Sequence, residues 1–205
     1  MYPVNSPEQL YTKEPDINYK WGLSHLDNIG WWTNISKLNN LTENFIRTNH
    51  LYLNWWYLSS NTALPVSKEF IREFADEIKW KSLSKQALTE EFIDEFSNYV
   101  DWNAISYKNY LSDEFLLKHA HKINWSILSK YRKVSEEFME KFSNYIDWTV
   151  ISTHQKMSEE FINKHFNKLD IICMSTNHRI SYNYRQKLKR KIKKMWEEAK
   201  AKQGI

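Results

Sequence analysis

Every 23 residues this chain writes nearly the same phrase. Thr89–Ser106, TEEFIDEFSNYVDWNAIS, recurs 46 residues later as Ser135–Ser152, SEEFMEKFSNYIDWTVIS, with 11 of 18 positions identical, and a looser copy runs from Leu111 to Leu128. A phenylalanine opens each unit (Phe45, Phe70, Phe92, Phe115, Phe138, Phe161), and a tryptophan follows ten residues on (Trp55, Trp80, Trp102, Trp125, Trp148), with Ile171 in that slot of the last unit. A branched aliphatic stands three residues after each tryptophan (Leu58, Leu83, Ile105, Leu128, Ile151), and a serine one further (Ser59, Ser84, Ser106, Ser129, Ser152). Trp32, Ile35 and Ser36 make an earlier half copy. A repeat this short is one supersecondary unit that cannot bury its own apolar side, so its copies must stack on one another.

Within a unit the spacing predicts two helices. Ser112, Ser135 and Ser158 precede acidic residues and then the anchor phenylalanine, a pattern that caps a helix start and complements its dipole. Phe92, Ile93, Phe96 and Val100 fall at i, i+1, i+4 and i+8, a helical stripe and not a strand alternation. Asp101, Asn124 and Asp147 then cap a second helix whose apolar side pairs Trp102 with Ile105, Trp125 with Leu128 and Trp148 with Ile151. The period divides into about ten residues for the first helix and about eight for the second, lengths that need tertiary packing to persist. The expected fold is all-α: a solenoid of short helix-pair repeats closed by an amphipathic C-terminal helix.

Three segments follow. Residues 1–28 hold Pro3, Pro7 and Pro15 and no clean period, and read as an irregular N-terminal cap. Residues 29–178 carry about six repeats, interrupted once by two extra residues in the stretch containing Pro65, read as a lengthened corner or a functional loop. Residues 179–205 form a basic cap helix. This last segment has ten basic and two acidic residues, whereas residues 1–178 have 19 basic and 23 acidic, so the net charge of +4 hides an acidic body and a basic tail. The single cysteine, Cys173, excludes an internal disulfide framework. No apolar stretch of membrane-spanning length occurs, and no basic segment followed by an apolar run opens the chain. The expectation is a soluble, cytoplasmic protein without integral membrane association.

Sites for chemistry are weak. Gly22, Gly30 and Gly204 are the only glycines, so residues 31–203 cannot form a glycine-rich phosphate loop. His119 and His121 lie two apart on a helix and face differently, which makes a poor metal pair. His119 and His165 occupy the slot that Phe74, Phe96 and Phe142 fill, and read as half-buried aromatic substitutes, with a ligand or catalytic role as the alternative. Carboxylate pairs such as Glu136–Glu137 recur at each helix start, which argues for capping, since acid–base catalysis needs one site with two different environments. The recurring serines sit in no nucleophile elbow. No catalytic residue, metal, cofactor or small-molecule substrate is expected, and the chain is not expected to be an enzyme.

Two groups remain for binding. Tyr99 and Tyr145 repeat in the phrase FSNY, and Tyr107, Tyr110 and Tyr131 fall near the second corner; they serve either packing or a protein interface, where tyrosine is enriched. In the tail, Tyr184, Leu188, Ile192, Met195 and Trp196 form an apolar stripe among Arg185, Lys187, Lys189, Arg190, Lys191, Lys193 and Lys194. This stripe fits docking on the last repeat, and the basic remainder fits solvent, nucleic-acid phosphates, an anionic membrane surface or an acidic protein.

The phrases SEEFIxxF and IDWxxIS, present here as SEEFMEKF and IDWTVIS, resemble the short phenylalanine-and-tryptophan helical repeats of large bacteriophages and giant DNA viruses. The resemblance covers residues 30–178. It implies a viral helical-repeat protein of a family without a general assigned activity and carries over no catalytic residue. By analogy it suggests a host-protein partner and inhibition of a host defence complex.

Overall fold

The computed structural model describes residues 29–61 and 67–203. The segment read as an N-terminal cap and the loop around Pro65 lie outside the described residues. Fourteen helices and no strand are present among the described residues. In order they are α1 (Ile29–Ile35), α2 (Glu43–Asn49), α3 (Trp55–Ser60), α4 (Lys68–Glu73), α5 (Trp80–Leu83), α6 (Glu90–Glu95), α7 (Trp102–Ser106), α8 (Asp113–Lys118), α9 (Trp125–Tyr131), α10 (Glu136–Lys141), α11 (Trp148–His154), α12 (Glu159–Lys164), α13 (Ile171–Thr176) and α14 (Tyr182–Gln203). The chain is an all-α helical repeat of the solenoid class. It divides into two compact units, one ending at Asp101 and the other beginning at Trp102, and packing is described within each.

Capping starts each first helix. The hydroxyls of Thr42, Ser67, Thr89, Ser112, Ser135 and Ser158 accept from the backbone N–H of Phe45, Phe70, Phe92, Phe115, Phe138 and Phe161 at 3.0–3.3 Å. The anchor phenylalanine is therefore the third helical residue, fixed in register by the cap. Asn124 and Asp147 cap the second helices through Ile127 N–H at 3.1 Å and Val150 N–H at 3.0 Å.

First helices are shorter than the stripe predicts: six residues in α4, α6, α8, α10 and α12, not about ten. Phe74, Phe96, His119, Phe142 and His165 end them with φ between −98° and −109° and ψ between 21° and 28°. A separate turn follows, closed by Val100 N–H to Phe96 C=O at 3.1 Å and by Ile146 N–H to Phe142 C=O at 3.0 Å. That turn keeps the i+4 relation, so the apolar stripe runs on where the helix does not.

Neighbouring units meet through their second helices: α3 packs on α5 in the first unit, and α7, α9, α11 and α13 pack in succession in the second. The core between them is aliphatic and tight. Ile93, Ile105, Leu116, Leu128, Met139, Ile151 and Ile162 are fully buried, each contributing roughly 1.5–3 kcal/mol over its exposed state.

The serine that follows each second-helix aliphatic stitches the units together. Ser106 Oγ donates to Trp102 C=O at 2.6 Å and accepts from Asn124 N–H at 2.8 Å; Ser152 Oγ donates to Trp148 C=O at 2.7 Å and accepts from Asp170 N–H at 2.9 Å. The same bond from the following unit reaches Ser36, Ser59, Ser84 and Ser129. A buried hydroxyl thus satisfies the backbone N–H at the mouth of the next second helix, which would otherwise cost a desolvated donor.

Tryptophan is less buried than core positions should be. Trp32 and Trp55 are buried, whereas Trp80, Trp102, Trp125 and Trp148 are half-buried. Each of these four indoles lies between the aromatic that ends the next first helix and the residue three before the next tryptophan slot. Trp125 meets Phe142 at 5.4 Å between centroids and stacks on Tyr145 at 5.1 Å; Trp80 does the same with Phe96 at 5.5 Å and Tyr99 at 5.0 Å. In the units ending with histidine the cover is a lysine: Lys122 lies 5.6 Å from the Trp102 ring and Lys168 5.2 Å from the Trp148 ring. The indole N–H reaches back five residues, from Trp125 to Ala120 C=O at 2.8 Å and from Trp148 to Ser143 C=O at 2.9 Å. That donor explains a choice of tryptophan over phenylalanine.

Candidate functional site

The frame leaves outward positions that do not repeat, and those of the second unit concentrate aromatic rings and cations. Tyr107 follows the last residue of α7 and Tyr131 is the last residue of α9. Stacking of these two helices puts the rings 4.6 Å apart at 42°, with each residue 48% exposed. Their hydroxyls are hydrogen-bonded to each other. That bond holds the Tyr107 phenol above its ordinary value and holds Tyr131 below it, with Lys130 adding to the shift at Tyr131. Lys130 Nζ stands 5.2 Å from the Tyr131 ring.

Lys108 is buried in the same corner, 5.7 Å from the ring of Tyr110, and burial holds its ammonium below the ordinary value. Its slot, two residues after the serine, is a side-chain amide in the first unit: Asn61 Nδ2 donates to Leu38 C=O at 2.7 Å and Gln86 Nε2 to Ser59 C=O at 2.9 Å. Later corners use Asn177, again two after its serine, whose Nδ2 donates to Ser152 C=O at 2.9 Å, and Gln155, three after its serine, whose Nε2 donates to Ser129 C=O at 2.7 Å. Exchange of amide for lysine at 108 is a departure from the repeat, and it could have flagged this corner from the sequence.

In the same unit a groove of about 380 Å³ is lined by Arg132, Lys133, Lys141, Asp113, Glu137 and Phe138 among others, so it carries three cations and two carboxylates. Arg132 lies 4.9 Å from the Phe138 ring, donates to Leu111 C=O at 3.1 Å, and is held below its ordinary value by burial. Lys141 pairs with Asp113 at 2.8 Å. Lys133 is exposed on the rim. Sequence reading missed Lys130, Arg132 and Lys133 although they flank Tyr131 in the linear order, because only the meeting of Tyr131 with Tyr107 marks that stretch.

The other tyrosines are placed differently. Tyr145 covers Trp125, and Tyr99, in the first unit, covers Trp80; both keep an exposed edge, at 44% and 48%. His119 and His165 replace phenylalanine as expected but are buried and not half-buried. His119 lies 4.9 Å from the Trp102 ring; His165 lies 5.4 Å from Trp148, and its Nε2 stands 2.8 Å from Glu140 Oε1.

In α14 the predicted stripe splits. Tyr184 and Leu188 are buried against the last repeat and Ile192 is half-buried, whereas Met195 and Trp196 are 51% and 64% exposed. Of the basic residues, Arg185 donates to Ile180 C=O at 3.3 Å, Lys187 pairs with Glu159 at 3.7 Å and Lys191 lies 3.9 Å from the Phe166 ring. Lys193 and Lys194 make long i,i+4 pairs with Glu197 and Glu198, at 3.9 and 3.8 Å. Lys189 and Arg190 are exposed and make no ion pair among the described residues.

No cluster of three or more His, Cys, Asp or Glu side chains among the described residues is placed to hold a metal ion, and no described helix is long and apolar enough to cross a membrane. No protein-family model, curated protein or solved structure matches the chain. The functional reading therefore rests on the surface of the repeat itself.

Proposed function

We propose that this protein is a non-enzymatic helical-repeat binding module that engages another protein through the aromatic corner around Tyr107 and Tyr131. The observation that carries the reading is the paired, half-exposed rings, fixed against each other with Lys130 beside the second of them. Tyrosine gives a large apolar face and one hydroxyl, and rings already held in place lose little freedom on binding. Lys130 beside the Tyr131 ring favours an acidic segment on the partner. If the chain is viral, as its repeat phrases suggest, the partner is a host protein, and occupying that protein would inhibit a defence complex.

The test is capture from nuclease-treated lysate of the host cell, comparing the full chain with a Tyr107→Ala, Tyr131→Ala double variant. A discrete protein should be retained by the wild type and lost by the double variant at unchanged circular dichroism. Equal retention by both would contradict the reading, as would no retention by either.

A second reading has its own observation. The exposed basic side of α14, where Lys189 and Arg190 are free of ion pairs, suits nucleic-acid phosphates, and binding there should weaken steeply with salt.

A further inference from the structure

The outer half of α14 is built differently from its docked half. From Lys193 to Lys202 every residue is exposed, so these turns stand clear of the repeat. On one side of the helix, beginning one turn earlier, lie Lys189, Lys193, Trp196 and Lys200, at spacings of four, three and four residues. Lys200 Nζ is 4.3 Å from the Trp196 ring centroid. The helix as a whole has nine basic and two acidic residues.

We infer that this strip binds single-stranded nucleic acid, with a base stacked on Trp196 and phosphates of the flanking nucleotides on Lys189, Lys193 and Lys200. The inference rests on the second reading above and adds a strand type and a stacking residue to it. Two features favour a nucleic-acid strand over an acidic peptide. Lys189 and Lys193 lie ~6 Å apart along the helix axis and Lys200 ~10 Å further on, with Trp196 in the wider gap, an alternation of cation and ring that suits a strand carrying both phosphates and bases. A large exposed indole set among lysines adds a flat π-face, and every base offers the complement to it. Duplex binding would use the cations and leave the indole idle, because paired bases are already stacked. Trp196 has no structural task that would explain its exposure, since the apolar stripe it continues has lost its cover by that turn.

The experiment is fluorescence anisotropy with the full chain, using labelled oligodeoxythymidylate, a duplex of the same length and polyglutamate, across a salt series. Oligodeoxythymidylate should bind more tightly than the duplex. Trp196→Ala should weaken that binding about ten-fold, in keeping with one lost stacking contact, and leave the salt slope unchanged. Replacing Lys189, Lys193 and Lys200 together with Gln should flatten the slope by about two, given ~0.7 per neutralised phosphate on a single strand. Both variants should melt with the wild type, as every altered side chain is exposed. Equal affinity for duplex and single strand, or a Trp196→Ala variant that binds as wild type, would overturn the stacking inference and leave phosphate binding standing. Binding of polyglutamate as tightly as the oligonucleotide would overturn it in favour of an acidic protein. Absence of salt-sensitive binding to either nucleic acid would overturn both this inference and the reading beneath it.

Discussion

Glu140 shows how one residue ties two units: its carboxylate accepts from Lys164 at 2.7 Å and lies 2.8 Å from His165 Nε2, both one repeat further on. Lys164 first, then His165, hold its pKa below the ordinary carboxylate value of 4.5. Glu95 is lowered likewise by Lys68 and then Arg72, and Glu91 and Glu137 by their own backbone N–H groups and the capping hydroxyls of Thr89 and Ser135. All four folded values are depressed, so their stabilisation is fully present above 4.5 and is lost as pH falls through the lowered values. Each group is exposed and contributes little alone. The melting temperature should accordingly stay level from neutral pH down to the ordinary carboxylate value and fall below it. Glu140→Gln should shrink that acid-side fall. A melting temperature that rises on acidification below 4.5 would contradict the assignment.

Helices of six residues do not persist alone in water, and here each depends on its cap and on the neighbouring unit. Helix α5 shows the consequence. Where other second helices have Asn or Asp as cap, Lys79 makes no capping bond through its side chain, and α5 is four residues long against seven in α9 and α11. Lys79→Asp should stabilise the protein by about 0.5–1 kcal/mol in urea unfolding by restoring the cap; a lowered midpoint would show that Lys79 is held by something other than helix geometry. At this scale the sequence was largely legible. Phenylalanine and tryptophan spacing gave the pairs of helices, and the Ser, Thr, Asn and Asp positions gave their starts. The first-helix ends were misjudged because the turn after Phe96 or Phe142 preserves the same i+4 stripe. Where docking of the tail stops is not legible, because its stripe continues through Met195 and Trp196, which are exposed.

At the scale of the whole molecule the chain divides into a repeated frame and an unrepeated surface. The frame consists of the buried aliphatics, the sandwiched indoles and the serine stitches; the surface consists of rings and cations that differ from unit to unit. Only half of this division can be read from the sequence. Recurrence of the serines was plain, but their partner is a backbone N–H 17 to 20 residues away, which linear spacing does not reveal. Tyr99 and Tyr145 could not be told from Tyr107 and Tyr131 without knowing that a tryptophan lies beneath the first pair. The most direct test is urea unfolding of Ser152→Ala beside Tyr110→Ala. Ser152 is fully buried and its loss leaves the Asp170 N–H without an acceptor, a cost of about 1–3 kcal/mol, whereas Tyr110 is 52% exposed and its loss should fall within ~0.5 kcal/mol of wild type. A clear drop in midpoint for Ser152→Ala with Tyr110→Ala unchanged is the predicted result; the reverse order would contradict the division on which the functional reading stands.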